Sequence, residues 1–428
     1  MNRALAQRQA ASLLDDDRTY GALDRNYRKN RAQDHTAGID ALAGAFRYED
    51  CRAEYWHPEE YSLLYGTPLW DGASASQRLT LNHLYWVAYY SQIISAEIAT
   101  ILLNQTAAAG LNTLEDFRLV CDTLDLETSQ ERSHIHAFKT VGEAVEAELF
   151  GERLFTYPMR SMFTETMIFA HTNSAKAFWK RLQLHAFTLL SAGNAFIGCQ
   201  YFTIRGLRTL NGKIVQHALA QPCLRRPDPD TMPVPARISW LHFLDESYHF
   251  NSSRLIGHDV LRSLPPPTRF ERWVANRALA GCQRDHFHFS VAIKGIFWHD
   301  PALFAVIYRL LRSGVFGFDH REALVMMRRC FAEESDGLHA AHRVHTQAAE
   351  SYRAFVAPLD YVSPDNRRMR IMSGSTLPRY LATTRAALER FAVTTWGAPT
   401  RPPTPPNART GPGGAVAGLD RAVAGRQS

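Results

Sequence analysis

Two copies of a Glu-x-x-His unit, Glu131-Arg-Ser-His134 and Glu246-Ser-Tyr-His249, stand in separate apolar stretches of this chain, and they limit what it can fold into. On an α-helix, side chains three or four positions apart share a face. His242 lies one turn before Glu246, so His242, Glu246 and His249 stack along one face over two turns. A single Glu-x-x-His is more often an ordinary surface pair. Two copies, with Glu97 isolated in an earlier apolar stretch, are harder to place on a surface. Buried carboxylates need partners. Facing helices in a bundle supply them, because a carboxylate can span two metal ions while an imidazole terminates one.

The rest of the sequence supplies the helices. Residues 77–104 are apolar nearly all round (Trp86, Tyr89, Tyr90, Ile93, Ile98, Ile101), with Ser74 or Ser76 as cap, and predict a buried helix carrying Glu97. A second helix runs from Asn112-Thr113 to Phe150, with Phe117, Val120, Leu124, Phe138 and Val141 on the stripe that holds Glu131 and His134. The bland reading of that segment is an exposed helix end decorated by Glu127, Glu131, Arg132 and His136. Residues 162–172 look helical, and a third long helix spans 175–205. Asn211-Gly212, Gln221-Pro222 and Arg226-Pro-Asp-Pro-Asp predict a long connection over 207–235. A fourth helix then covers 236–264, stopped by Pro265. Helical patterns recur at 269–280, 301–313, 321–334, 338–355 and 377–391, and strand periodicity is missing. The expectation is an all-α protein, a ferritin-like four-helix bundle core with additional C-terminal helices in a single domain, 38–397. Residues 1–37 read as a polar, partly disordered extension, and 398–428 as a disordered Pro/Gly-rich tail.

A dinuclear carboxylate site in such a bundle takes one glutamate from each of two helices and Glu-x-x-His from each of the others. Here the candidate ligands are Glu97, Glu131, His134, His242, Glu246 and His249, with Glu131 or Glu246 as the bridge. The third helix is the exception, since no Asp or Glu occurs from Thr166 through Pro227. Counting back from a helix end near Arg205 places the metal level at Phe196, where Asn194 or Gln200 offers an amide oxygen or a water fills the gap. Glu165 is the nearest upstream acid. Asp245 points about 100° away from Glu246, as a candidate acceptor for a ligating histidine's other N–H or else as a helix-surface acid. Three carboxylates and three imidazoles suit two iron ions, or manganese, better than zinc, and two divalent ions bring four positive charges against three negative. Open positions would remain for dioxygen.

With these residues in view the chain resembles the p-aminobenzoate N-oxygenases, ferritin-like di-iron proteins that oxidise aryl amines. The resemblance rests on Glu97, on Glu131 with His134, and on the fourth-helix run His242-x-x-Asp245-Glu246-x-x-His249, and it covers roughly Trp56 to Asp259. It implies a di-iron site, O2 and an external electron donor, and N-oxygenation of a small amine in a biosynthetic pathway. In that family the third helix also supplies a metal-binding glutamate. The corresponding stretch here, Ser191-Ala-Gly-Asn-Ala195, has no acid.

Other readings stand beside this one. Hydroxylation or desaturation is the alternative within di-iron oxygenase chemistry. A bundle that has lost productive metal binding and serves as a binding or partner subunit is the alternative outside it, and a single-metal site is a third. Glu333, Glu334, His339, His342 and His345 could form a second cluster but read better as a solvated helix face, and Asp285, His286, His288 and His299-Asp300 as packed or surface groups. A net charge of +6 is scattered among acids, which argues against nucleic acid as partner. No apolar run is long enough to span a membrane, and the N-terminus lacks a signal peptide's apolar core. Six cysteines without a C-x-x-C pair read as free thiols. A cytoplasmic protein is expected, acting on a small-molecule substrate and pairing as a homodimer.

Overall fold

The protein is described here by a computed structural model that covers residue 13 and residues 16–155, 175–226, 228–289 and 301–396. Every regular element among the described residues is helical. The first two are α1 (Asp17–Ala32) and α2 (Thr36–Ala45). The expected loose extension is therefore ordered over 17–32: Asp16 caps α1 through Thr19 N, and Leu23 and Asn30 are buried. The polar composition that suggested disorder belongs to the outer face of α1.

Four long helices form the bundle: α3 (Ala75–Leu111), α4 (Arg118–Phe150), α6 (Ala195–Arg225) and α7 (Val234–Arg254), with α5 (Ala175–Gly193) leading into α6. A capping box of Ser74 and Gln77 starts α3, and Gly151, at φ 66°, ends α4 in the left-handed conformation that glycine adopts without strain. A six-residue π-helical turn, Leu255–Val260, follows α7. Gly257 lets this turn lie against the backbone of α6, where a Cβ would stand 2.5 Å from Thr203 N. The remaining helices of more than five residues among those described are α8 (Arg269–Phe289), α9 (Pro301–Arg312), α10 (His320–Phe331), α11 (Asp336–Val356) and α12 (Leu377–Trp396).

Two expectations fail together on α6. The third helix does not run unbroken from 175 to 205, and no long connection fills 207–235. Asn194 leaves helical geometry at φ −146° and caps a new helix through Ile197 N, and that helix continues to Arg225 through Asn211-Gly212 and past Pro222. Buried Leu207, Val215, Leu219 and Cys223 keep helical spacing through this stretch. Their burial outweighs the roughly 1 kcal/mol helix penalty of one glycine and the loss of one backbone bond at Pro222. The expected helix at 162–172, the tail at 398–428, the side chains at 285–288 and residues 299–300 lie outside what the structure describes.

The bundle's interior is apolar at both ends and polar between. One cluster gathers Leu84, Trp86, Tyr90, Phe138, Val141, Val215 and Ile238. The other gathers Leu103, Val120, Leu124, Phe202, Leu207 and Ile256. Each fully buried large side chain contributes roughly 1.5–3 kcal/mol, and these clusters hold the polar layer between them dry. Among the described residues one helix, α3, is long and apolar enough to cross a membrane, yet 67% of its most apolar window is buried inside the protein, as in a core helix.

Candidate metal centre

The polar layer is where the six predicted residues meet. Glu97 comes from α3, Glu131 and His134 from α4, and His242, Glu246 and His249 from α7, all buried. His242 Nε2 lies 3.2 Å from Glu97 Oε1 and 3.6 Å from Glu246 Oε1. His134 Nδ1 lies 3.5 Å from Glu131 Oε2 and 3.8 Å from Glu97 Oε1. His249 Nδ1 lies 3.0 Å from Glu246 Oε1 and 3.4 Å from Glu131 Oε1. The donor atoms form two groups, Glu97 with His134, His242 and Glu246, and Glu131 with Glu246 and His249. Within each group they lie within 4.8 Å of one another, close enough to hold a metal ion. Glu246 belongs to both, and the two oxygens of Glu131 face different histidines, so both carboxylates are placed to bridge.

The chemistry of the donor set fits metal. Glu97 Oε1 and Oε2, Glu131 Oε2, His134 Nδ1 and His242 Nε2 are buried without a hydrogen-bond partner. Leaving that many acceptors unpaired costs several kcal/mol, and cations offset the cost. The histidine tautomers agree. His134 Nε2 donates to Asp245 Oδ2 at 3.1 Å, and His249 Nε2 donates to Gln130 Oε1 at 2.9 Å. Each ring therefore turns its Nδ1 lone pair to the carboxylates. Asp245, read as either acceptor or surface acid, is fully buried and holds His134.

Without cations the cluster must neutralise itself with protons. Burial and Glu131 push the Glu97 carboxyl well above its ordinary range. Burial and Glu246 also raise Glu131, but His249 and His134 outweigh them and hold it at about 2. Burial works against charge on His134, yet Asp245 and Glu131 lift it to about 9. Burial likewise opposes charge on His249, and Glu246 with Glu131 raise it well above an ordinary imidazole.

The sequence did not disclose several supporting residues. Gln130 is held by Asn30 of α1 through a reciprocal amide pair, Asn30 Nδ2 to Gln130 Oε1 at 3.0 Å and Gln130 Nε2 to Asn30 Oδ1 at 2.9 Å. Glu127 is not an exposed decoration but fully buried, and it accepts from Arg205 Nη1 at 2.5 Å and from Ser252 Oγ. The signal for Glu127 was its place one turn before Glu131 on the stripe of Leu124. Nothing local marked Asn30.

Asn194 is not a ligand: its Oδ1 caps α6 and its Nδ2 donates to Glu271 Oε1 at 2.7 Å. Phe196 packs on Tyr361, and Gln200 also borders Tyr361, so neither side chain joins the cluster. That level was misplaced because the helix was taken to end at Arg205. Its true position follows from two contacts. Arg205 points into the bundle at Glu127, and two turns later on the same face stands Gly212. Lys213 packs its ammonium against Phe250 and Phe243, which bracket Glu246 on α7. The cluster's level on α6 thus falls between Arg205 and Lys213, and within that span Gly212 has no side chain: a Cβ built there meets nothing closer than Gln216 Nε2 at 3.9 Å. Glu165 lies outside the described residues. The second histidine group also separates: His345 donates to Met372 O, His342 to Ser375 O, and His339 pairs with Glu334, so they share no centre.

Fold and site define a helical bundle enclosing a buried Glu/His cluster able to bind metal. The profile of one family, acyl halogenase CylC-like, matches residues 18–392, and the chain belongs to that family. Membership implies an enzyme of oxidative chemistry, which supports the oxygenase reading in its coarse form; the amine specificity drawn from the N-oxygenase resemblance has no support in the match. Comparison with curated proteins and with solved structures returned no significant match.

Proposed function

We propose that this protein is an O2-dependent dimetal halogenase that replaces a C–H bond of an acyl substrate with a carbon–halogen bond. The observation that carries the reading is the acyl halogenase family match, in a chain whose α6 brings no carboxylate to the cluster and leaves Gly212 without a side chain. Three carboxylates against two divalent ions leave one positive charge, which one halide neutralises. A fourth carboxylate would remove that charge and fill the space. The overall change balances as C–H, halide, O2, two electrons and three protons giving C–halogen and two waters, with the electrons from an external reductant.

In this reading Glu97, Glu131, His134, His242, Glu246 and His249 hold two iron ions, or manganese, and the metals supply the activation of dioxygen. The protein's own part is positional. Glu131 and Glu246 bridge, Asp245 and Gln130 fix two imidazoles, and the apolar clusters on either side exclude water.

The test is to incubate the iron(II)-loaded protein with O2, a reductant, bromide and acyl thioesters of graded chain length, then read products by mass spectrometry. A brominated acyl chain is the expected product, and Gly212→Glu should turn it into a hydroxylated one. Hydroxylated or desaturated product from the unaltered protein in saturating bromide would overturn halogenation in favour of the other di-iron reactions. Turnover of an aryl amine alone would restore N-oxygenation.

A further inference from the structure

The seam between α6 and α7 carries a cation that neither the fold nor the ligand set explains. Lys213 follows Gly212 directly and is half-buried. Its Nζ lies 4.9 Å from the ring centre of Phe250 and 6.0 Å from that of Phe243, and it makes no hydrogen bond or ion pair with any described residue. Ring faces stabilise an ammonium on one side only. The other side keeps its N–H donors, in a setting too apolar for water to satisfy them well.

Position gives this cation its meaning. Phe243 and Phe250 are seven residues apart on α7, and Glu246 lies between them on the neighbouring edge of the same stripe. Glu246 is also, at 7%, the most exposed of the six cluster residues. The seam beside Lys213 therefore borders the least enclosed of the six residues. Glu246 is also the acid whose charge reaches Lys213. His217, one turn on along α6, packs against Phe243 with its ring centre 5.5 Å away and faces solvent.

We propose that Lys213 is a halide-binding site at the entrance to the cluster, which draws chloride or bromide from solvent and delivers it to the space over Gly212. A half-dehydrated monovalent anion suits the place: an ammonium with free donors on the side away from the rings and no side chain at Gly212. The inference rests on the halogenation reading and adds to it the route and the residue by which halide is recruited.

Bromide provides the probe. Crystals of the manganese(II)-loaded protein soaked in bromide, with diffraction recorded at the bromine edge, should show an anomalous peak in contact with Lys213 Nζ. Lys213→Arg should keep the peak and Lys213→Met should lose it, with manganese content unchanged in both. In solution, the excess broadening of the chloride NMR line by loaded protein should fall in Lys213→Met and persist in Lys213→Arg. Bromide over Gly212 but none at Lys213, or a peak that survives Lys213→Met, would overturn this site and leave halogenation standing. No bromide anywhere in the bundle would overturn both.

Discussion

At the scale of single residues, the cluster is defined as much by what stands behind the histidines as by the histidines themselves. Gln130 fixes one ring of His249, and Asn30 fixes Gln130. Gln130→Leu should therefore weaken metal affinity about 10–100-fold, the usual effect of removing an orienting partner. Circular dichroism should remain that of the intact bundle, and competition with a chelator is the measurement; unchanged affinity would show that the Gln130 contact is incidental. Protonation makes a second prediction. His134 is held at about 9 and Glu246 with Glu131 raise His249 well above an ordinary imidazole, so in the metal-free protein at neutral pH both imidazoles carry protons that a metal must displace. Loading should release protons, and apparent affinity should rise with pH from neutrality through about 9, where His134 loses its proton. Affinity independent of pH between 6 and 9 would contradict the proton-filled cluster.

At the scale of elements, α6 separates what the sequence shows from what it hides. Two glycines on interacting elements should respond in opposite directions. Gly212→Ala places a Cβ in open space within a helix and should stabilise by up to about 1 kcal/mol. Gly257→Ala drives a Cβ to 2.5 Å from backbone and should destabilise, by more than that gain. Thermal unfolding of the pair decides it, and a drop for Gly212→Ala would mean the inward space is already filled. The helices bearing Glu97, Glu131 and Glu246 were legible because long apolar runs with motif spacing leave little choice. The course of α6 was not, because Asn-Gly and Gln-Pro are turn signals locally and were overridden by tertiary burial of Val215, Leu219 and Cys223. Gly193-Asn194 was the readable sign of the real break. Once the break was missed, the level facing the cluster moved from between Arg205 and Lys213 to Phe196.

At the scale of the whole molecule, the N-terminal helix is part of the centre. A polar segment expected to contribute little reaches through Asn30 to His249, and that link is invisible in sequence because the contact spans a hundred residues and has no motif. Deleting residues 1–33 should lower metal affinity as Gln130→Leu does, while leaving the α3–α4 and α6–α7 contacts in place. The family match extends over 18–392 and so includes α1, in keeping with this role. The central claim is that six side chains from three helices hold two metal ions, and it is tested most directly by counting them. After anaerobic loading with iron(II) and removal of the excess, metal analysis should give two irons per chain, and His249→Ala should give one or none. One iron in the unaltered protein, or a content that His249→Ala leaves unchanged, would contradict the dimetal centre.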